Sequence, residues 1–455
     1  MIFMADIKRL EETVAELLAG REFAGRAIGR LLGAGEYTTE ERQWLHDAVM
    51  SFVQLKNRYR TLVERFAEKT GIEDTEPEDI RLWIACRHQE GAVRGPVEET
   101  VFSAMAAKSR VRKFLGFLEH NPPEEIFKAK KKKDLECLWL YHSHPLWMIR
   151  KWLGAYPWKE VEDLCRFNNT LPDVAVRVNP LKGSVEGLLD SLRAEGFAGA
   201  ASEWSPFGAT LTRRFDALSH PGYRKGQFTL QSLSSQLTCF YLNPRPGSRL
   251  LDFCAGEGGK CLTLAHIMKG RGEVYVHDKQ MWRLQNLRKR LRREGVQNVR
   301  MEGMASIKRR SLLFDLVVVD TPCTGSGNFR RQPELKWKLK DSEPEEMNRV
   351  QLGILDEAAP FCAPGGLLAY ITCSLFQEEN HKVVRRFLGS REGWDLVSPA
   401  AFLAEHHATG FWLPAEKFET FIDDRYFQVL PQKHRMPGMF CALLRKQVGD
   451  GPPRE

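Results

Sequence analysis

The chain has 455 residues, 43% of them hydrophobic and 28% charged, the balance of a soluble globular protein long enough for several domains. Lys and Arg outnumber Asp and Glu by 67 to 59, an excess that permits a polyanionic partner without demanding one. Ten cysteines without a CxxC pair argue against a zinc ribbon or other metal centre, a thioredoxin-type motif and a disulfide scaffold, and no stretch approaches membrane-spanning length. Charge is met at Asp6, so a signal peptide is not expected and the reducing cytoplasm is the expected compartment.

Residues 6–127 predict helices. Leu10, Val14, Leu17 and Leu18 recur at helical spacing, as do Trp44, Val49, Phe52, Val53, Leu55 and Tyr59. Thr38 with Glu41 three residues on has the pattern of a capping box. The run Lys128–Lys133, basic except for Ala129, reads either as a solvated linker or as an RNA backbone contact. Beyond it, Ser143-His144-Pro145-Leu146-Trp147 opens a helix continuing through Trp152. Over 172–227 the pattern changes. Val174–Asn179 alternates like a strand, Ser184–Glu195 is helical, and Gly208–Leu211 and Gly226–Leu230 are further short strands, which together make a small α+β module. From about 230 to 446 strands alternate with helices, as in a doubly wound α/β domain. The expected division is 1–134 helical, 135–229 linker helices and α+β module, 230–446 Rossmann-like, and 447–455 a tail.

Three apolar runs in this last part end in chemically loaded loops. Arg249-Leu250-Leu251 enters Asp252-Phe253-Cys254-Ala255-Gly256-Glu257-Gly258-Gly259-Lys260. Phe314–Val319 enters Asp320-Thr321-Pro322-Cys323, and Gly366–Ile371 enters Thr372-Cys373-Ser374. Ligands of open α/β sheets bind at the carboxyl ends of the strands, so the three loops are expected to converge. The glycine loop fits a nucleotide. Asp278, about 20 residues on at the end of the next strand, is placed for ribose hydroxyls. The loop matches neither a phosphate-type nor a dinucleotide pattern, so S-adenosylmethionine fits better than ATP or NAD. Two thiols facing such a cofactor suit methylation of cytosine at carbon 5. That carbon is a poor nucleophile until a thiolate adds to carbon 6, and a base must then remove the carbon 5 proton. The other cysteines, Cys254 and Cys261 beside the loop included, read as packing residues.

These motifs strongly resemble the RsmB (Fmu/Sun) group of bacterial ribosomal RNA cytosine-5 methyltransferases. The resemblance is carried by loop 252–260, Asp278 with Arg283-Leu284, the Pro-Cys loop 320–327, Asn328–Trp337, Thr372-Cys373-Ser374 with Glu378-Glu379-Asn380, and Gln231 with Ser234-Ser235-Gln236. Ser143–Trp147 and Arg177–Lys182 look like the group's RNA-binding segment, and the helical N-terminus like its NusB-like domain. The resemblance implies an all-α NusB-like domain, a small α+β RNA-binding module and a Rossmann-like methyltransferase domain in a protein that binds RNA; the sequence leaves the oligomeric state open, with a monomer expected. It implies Cys373 as nucleophile, Cys323 as assistant to product release and Asp320 beside the attacked ring. It places Cys254, Ala255, Gly256, Gly258, Gly259, Lys260, Asp278, Arg283 and Asp320 around S-adenosylmethionine. It aims Arg177, Asn179, Lys182, Arg330, Arg331 and Lys336 at RNA. Three departures from the group's pattern stand out. Gly256-Glu257 replaces Ala-Pro, Met304 stands where an adenine-binding acid is usual, and Ser232 stands where Asp often follows Gln231. Small-subunit ribosomal RNA is the expected substrate. Transfer RNA is the nearest alternative, DNA is disfavoured by the paired cysteines, and a catalytically weak RNA-binding assembly factor is the rival suggested by Met304.

Overall fold

The computed structural model describes the chain except for positions 1, 3, 73–75, 77, 91–95, 107, 128–133, 212–216, 408–412, 415, 424 and 449–455. The lysine-rich run therefore lies outside the described residues. The chain forms two compact units, one of residues 1–172 with 328–341, the other of 173–327 with 342–455.

The first unit is helical. Leu10, Val14 and Leu17 of the helix Met4–Leu18 are buried, as are Trp44, Val49, Phe52 and Val53 of Thr39–Gln54. The capping box forms. Thr38 Oγ1 accepts the Glu41 N–H at 3.2 Å, and Glu41 Oε2 accepts the Thr38 N–H at 2.9 Å. The next helix, Lys56–Thr70, stops at Gly71, whose positive φ satisfies a left-handed cap. The helices Leu146–Leu153 and Trp158–Asn168 belong to this unit. A fragment beginning at 135 would cut this helical unit.

The second unit holds two sheets. The smaller is antiparallel, ordered β2-β3-β1-β4, with β1 Val174–Val178, β2 Gly199–Ala201, β3 Gly208–Leu211 and β4 Phe228–Leu230. The larger contains β5 Arg249–Asp252, β6 Glu273–Val276, β7 Val299–Arg300, β8 Phe314–Asp320, β9 Cys362–Thr372, β10 Trp394–Val397, β11 Ile422–Asp423, β12 Tyr426–Val429 and β13 Met439–Lys446. Its order is β11-β12-β13-β9-β8-β5-β6-β7, with β10 paired to β13. From β7 to β9 the pairs are parallel, whereas β13 runs antiparallel to β9. A doubly wound sheet needs apolar side chains on both faces of its strands. Here Leu316 and Val318 of β8, with Ala369 and Ile371 of β9, feed one core, while Val317, Val319, Leu368 and Tyr370 feed the other. The strand order reverses between β5 and β8, and at that switch point ligand crevices open. Among the described residues no helix is long and apolar enough to cross a membrane.

Candidate active site

The glycine loop leaves β5 and turns into the helix Gly259–Ile267 through Gly258, whose φ is +85°. A Cβ there would stand 2.2 Å from Leu287 Cδ1, and the left-handed backbone also favours glycine at this position. Gly256 also has positive φ, but a Cβ on it would meet nothing within 4 Å, which leaves open space above the loop. Asp278 braces the loop from the next strand end. Its Oδ2 accepts the Gly256 N–H and its Oδ1 the Gln280 N–H, each at 2.8 Å, with Arg283 Nη1 3.9 Å away.

Asp252 is buried at the foot of this loop, and burial, with Asp320 adding to it, pushes its pKa up to about 7. Its Oδ1 has no hydrogen-bond partner among the described residues. Lys260 Nζ donates to Asp320 Oδ2 at 2.5 Å. Burial opposes the ammonium charge, but Asp320 outweighs it and holds the Lys260 pKa above its ordinary value. The acid set Asp252, Asp278 and Asp320 suits the cationic sulfonium and amino groups of S-adenosylmethionine, and an orphaned buried carboxylate oxygen is the kind of partner such a cation needs. The residues present therefore fit that cofactor.

The two thiols meet. Asp320 of β8 lies opposite Ile371 of β9, so the chain leaves both strands side by side. Cys323 Sγ and Cys373 Sγ are 3.2 Å apart, both are free, and both are partly exposed. The hydrogen bond to Cys373, then burial, raises the Cys323 pKa. Gly327 N donates to Cys373 O at 2.8 Å. A Cβ on Gly327 would be 2.7 Å from that oxygen, which is why glycine stands there.

Glu379 holds the loops in place. Its Oε2 accepts the Thr324 N–H at 2.9 Å and Gln351 Nε2 at 3.0 Å. Its Oε1 accepts the hydroxyls of Ser374, at 2.5 Å, and Thr324. Thr324 belongs to the Cys323 loop and Ser374 follows Cys373, so a single carboxylate ties the thiol loops together. Burial raises the Glu379 pKa against the pull of these four bonds. In the sequence Glu379 matched the group's pattern but had no role. An acid just ahead of the helix His381–Ser390 reads locally as a partner for the helix dipole.

The residues expected on RNA divide differently. Arg177 is fully buried. Its Nε donates to Gln231 Oε1 (2.7 Å), its Nη1 to His266 Nδ1 (2.6 Å), and its Nη2 to Glu294 Oε2 (2.8 Å). Asn179 is buried too, donating to the carbonyls of Gly226 and Glu294. Lys336, also fully buried, donates to the oxygens of Gln54 (2.7 Å), Ser143 (3.0 Å) and Asn169 (3.0 Å) within the helical unit. Desolvated groups whose donors are spent on protein acceptors cannot meet a phosphate, which corrects the expectation for these three. Arg330 and Arg331 are partly exposed members of the helical unit, with the Arg330 guanidinium 4.7 Å from the Phe167 ring centroid. Lys182 is exposed. Two departures from the group's pattern find local explanations. Ser232 caps the helix Leu233–Leu242 by accepting the Ser235 N–H, a task Asp performs equally well, and Glu257 accepts from Asn286.

Comparison with known proteins agrees with this geometry. Residues 239–445 match the family model of 16S rRNA methyltransferase RsmB/F, and 144–217 match the ferredoxin-like domain of RsmF/B-like methyltransferases. The chain is 30% identical over 309 residues to a Bacillus subtilis protein named "Probable ribosomal RNA small subunit methyltransferase B", covering 67% of each. The crystal structure of PH0851 superposes with a TM-score of 0.72 over 97% of this chain and 99% of that one, at 24% identity, which concerns the fold alone. A methyltransferase homologue from Pyrococcus horikoshii gives a TM-score of 0.54 at 26% identity, over 68% of this chain and 97% of that one.

Proposed function

We propose, from the premise that this chain belongs to the RsmB group of S-adenosylmethionine-dependent ribosomal RNA methyltransferases, that it methylates carbon 5 of a cytosine in small-subunit ribosomal RNA through a covalent cysteine adduct. The observation that carries the reading is the thiol pair, 3.2 Å apart beyond the ends of β8 and β9. The target base is out of its stack, because chemistry on a base requires access to its faces. Cys373 Sγ adds to carbon 6, and the ring electrons move to carbon 5. S-adenosylmethionine supplies an electrophilic methyl group. A general base takes the carbon 5 proton, which returns the electron pair to the ring and expels the Cys373 thiolate. Cys323 assists that release, and Asp320, held by Lys260, accepts a hydrogen bond from the base. The helical unit acts as a NusB-like RNA-binding domain, and the enzyme works in the cytoplasm.

The test is incubation with labelled S-adenosylmethionine and small-subunit ribosomal RNA, transfer RNA or DNA, followed by bisulfite mapping. Label at one cytosine of the ribosomal RNA is expected. Label confined to transfer RNA would replace the substrate, and label on no cytosine would overturn the reaction.

A further inference from the structure

We infer that the solvent face of the helix Met281–Glu294 is an RNA-backbone track built from Arg288, Lys289 and Arg292. This rests on the RNA substrate proposed above and assigns it a surface. The helix begins three residues after Asp278 of the cofactor site, and its inner face buries Leu284, Leu287 and Leu291. Helical spacing puts Arg288 and Arg292 on one outward stripe with Lys289 beside it, and all three side chains are exposed.

The charge distribution along the helix decides what this face is for. Its only carboxylate, Glu294, is buried. It takes Arg177 at 2.8 Å, with Arg293 at 3.6 Å and Arg290 at 3.7 Å. Arg290 also donates to Glu257 O, and Arg293 lies 4.0 Å from the Tyr223 ring centroid. The inner cations thus share one buried carboxylate or stack on a ring. Arg288, Lys289 and Arg292 have no acidic partner among the described residues. Like charges four residues apart destabilise a helix, so Arg288 and Arg292 gain nothing from each other in the free protein. The helix C-terminus accounts for a cation at Arg292, but Arg288 and Lys289 lie further from that end.

The surroundings extend the track. A shallow groove runs between Arg288 and Arg292 on one side and Val299 and Met301 on the other. At the far end the exposed Lys182 reaches across to the carbonyls of Arg293 and Lys225, so the basic surface passes onto the small antiparallel sheet's module. A basic helix can also meet an anionic membrane, but that requires a free apolar face along its length, and here the leucines are in the core, with Met281 and Trp282 exposed at the helix start. Unpaired exposed cations over a neutral groove suit a phosphate backbone, whose binding releases counterions.

The test compares the full-length wild type with the triple variant Arg288→Gln/Lys289→Gln/Arg292→Gln, and with a control, Lys308→Gln/Arg309→Gln, on another exposed basic stretch. RNA affinity is measured against salt concentration on a small-subunit ribosomal RNA stem-loop. With about 0.7 counterion released per single-strand phosphate contact, the slope of log affinity against log salt should be shallower by about 2 in the triple variant. Its affinity deficit should then shrink about 16-fold between 50 and 200 mM salt. The control and the cofactor affinity should not change. An unchanged slope in the triple variant overturns the track, as does equal loss in the control, or wild-type binding to anionic vesicles but not to RNA. A wild type that binds RNA with the expected slope loss in the variant, yet transfers no methyl group, supports the track and rejects the methyltransferase reading instead.

Discussion

Two buried polar clusters in the second unit are built in opposite ways. Around Arg177 opposite charges meet. The guanidinium meets the Glu294 carboxylate, and burial with Arg177 holds His266 down to about 3, so its neutral ring accepts a hydrogen bond. Around Glu379 nothing balances the charge. Hydroxyls, an amide side chain and one backbone N–H surround a carboxylate that has no cation within ion-pair distance among the described residues. The ion-paired cluster joins the small sheet to the helices that carry His266 and Glu294. The unbalanced one lies under the thiols, where its four donors fix two loops at once and leave a proton equilibrium that pH can shift.

Breaking the ion-paired cluster should cost most. Arg177→Met removes the nearest cation from a buried carboxylate, and removing one partner of such a pair typically costs about 3–5 kcal/mol. The low end is expected because Arg290 and Arg293 remain within 3.7 and 3.6 Å of Glu294. Urea unfolding with an unchanged slope against denaturant would measure it, and a loss below about 1 kcal/mol, the usual net worth of one neutral hydrogen bond, would mean that the pair is not the anchor described.

Glu379→Gln tests the other cluster. The amide cannot accept all four bonds, so about 2 kcal/mol of stability should go, within the range for a buried unsatisfied group. Displacement of the thiol loops should lower methyl transfer by about a hundredfold, the typical effect of an ångström of misplacement. The pH dependence has a definite sign. The folded state holds this proton more tightly than the unfolded chain, whose carboxyl has the ordinary value of 4.5. Wild-type stability should therefore rise as pH falls from the raised folded pKa towards 4.5. Thermal melts across that window should lose this rise in the variant, and a retained rise would assign the proton to another group.

How far these features could be read in advance follows from sequence separation. The thiol and glycine loops were legible because each is a short run attached to its own strand, and its position at the carboxyl end follows from the strand itself. The partners that bury Arg177 are 54, 89 and 117 positions away, and those of Lys336 are 282, 193 and 167. No local pattern distinguishes such a cation from one facing solvent, so a basic segment beside a catalytic loop read as an RNA contact. The Glu379 clamp joins residues from two loops and a helix and was hidden for the same reason. Strand β2, Gly199-Ala200-Ala201, lacks alternation and β-branching. It lies exposed, paired to β3 through backbone alone. The helical unit was legible in its helices but not in its extent, because 328–341 joins it from far along the chain.

The smallest effect concerns the cofactor. Met304 is partly buried against the same core cluster as Cys254 of the glycine loop. If it replaces a polar contact to adenine, Met304→Asp should tighten S-adenosylmethionine about fivefold, the equivalent of one hydrogen bond near 1 kcal/mol. Calorimetry that finds unchanged or weaker binding would place the adenine elsewhere. No measurable wild-type binding at millimolar cofactor would favour the assembly-factor reading.

The covalent step is the central claim, and a denaturing gel of enzyme with substrate RNA and S-adenosylmethionine tests it most directly. Cys373→Ala should give neither methylation nor an RNA–protein adduct. Cys323→Ala should still attack and methylate but fail to release, leaving a conjugate that is stable on the gel and depends on S-adenosylmethionine. An adduct in Cys373→Ala with none in Cys323→Ala would reverse the two roles, and methylation intact in both variants without any adduct would contradict the mechanism outright.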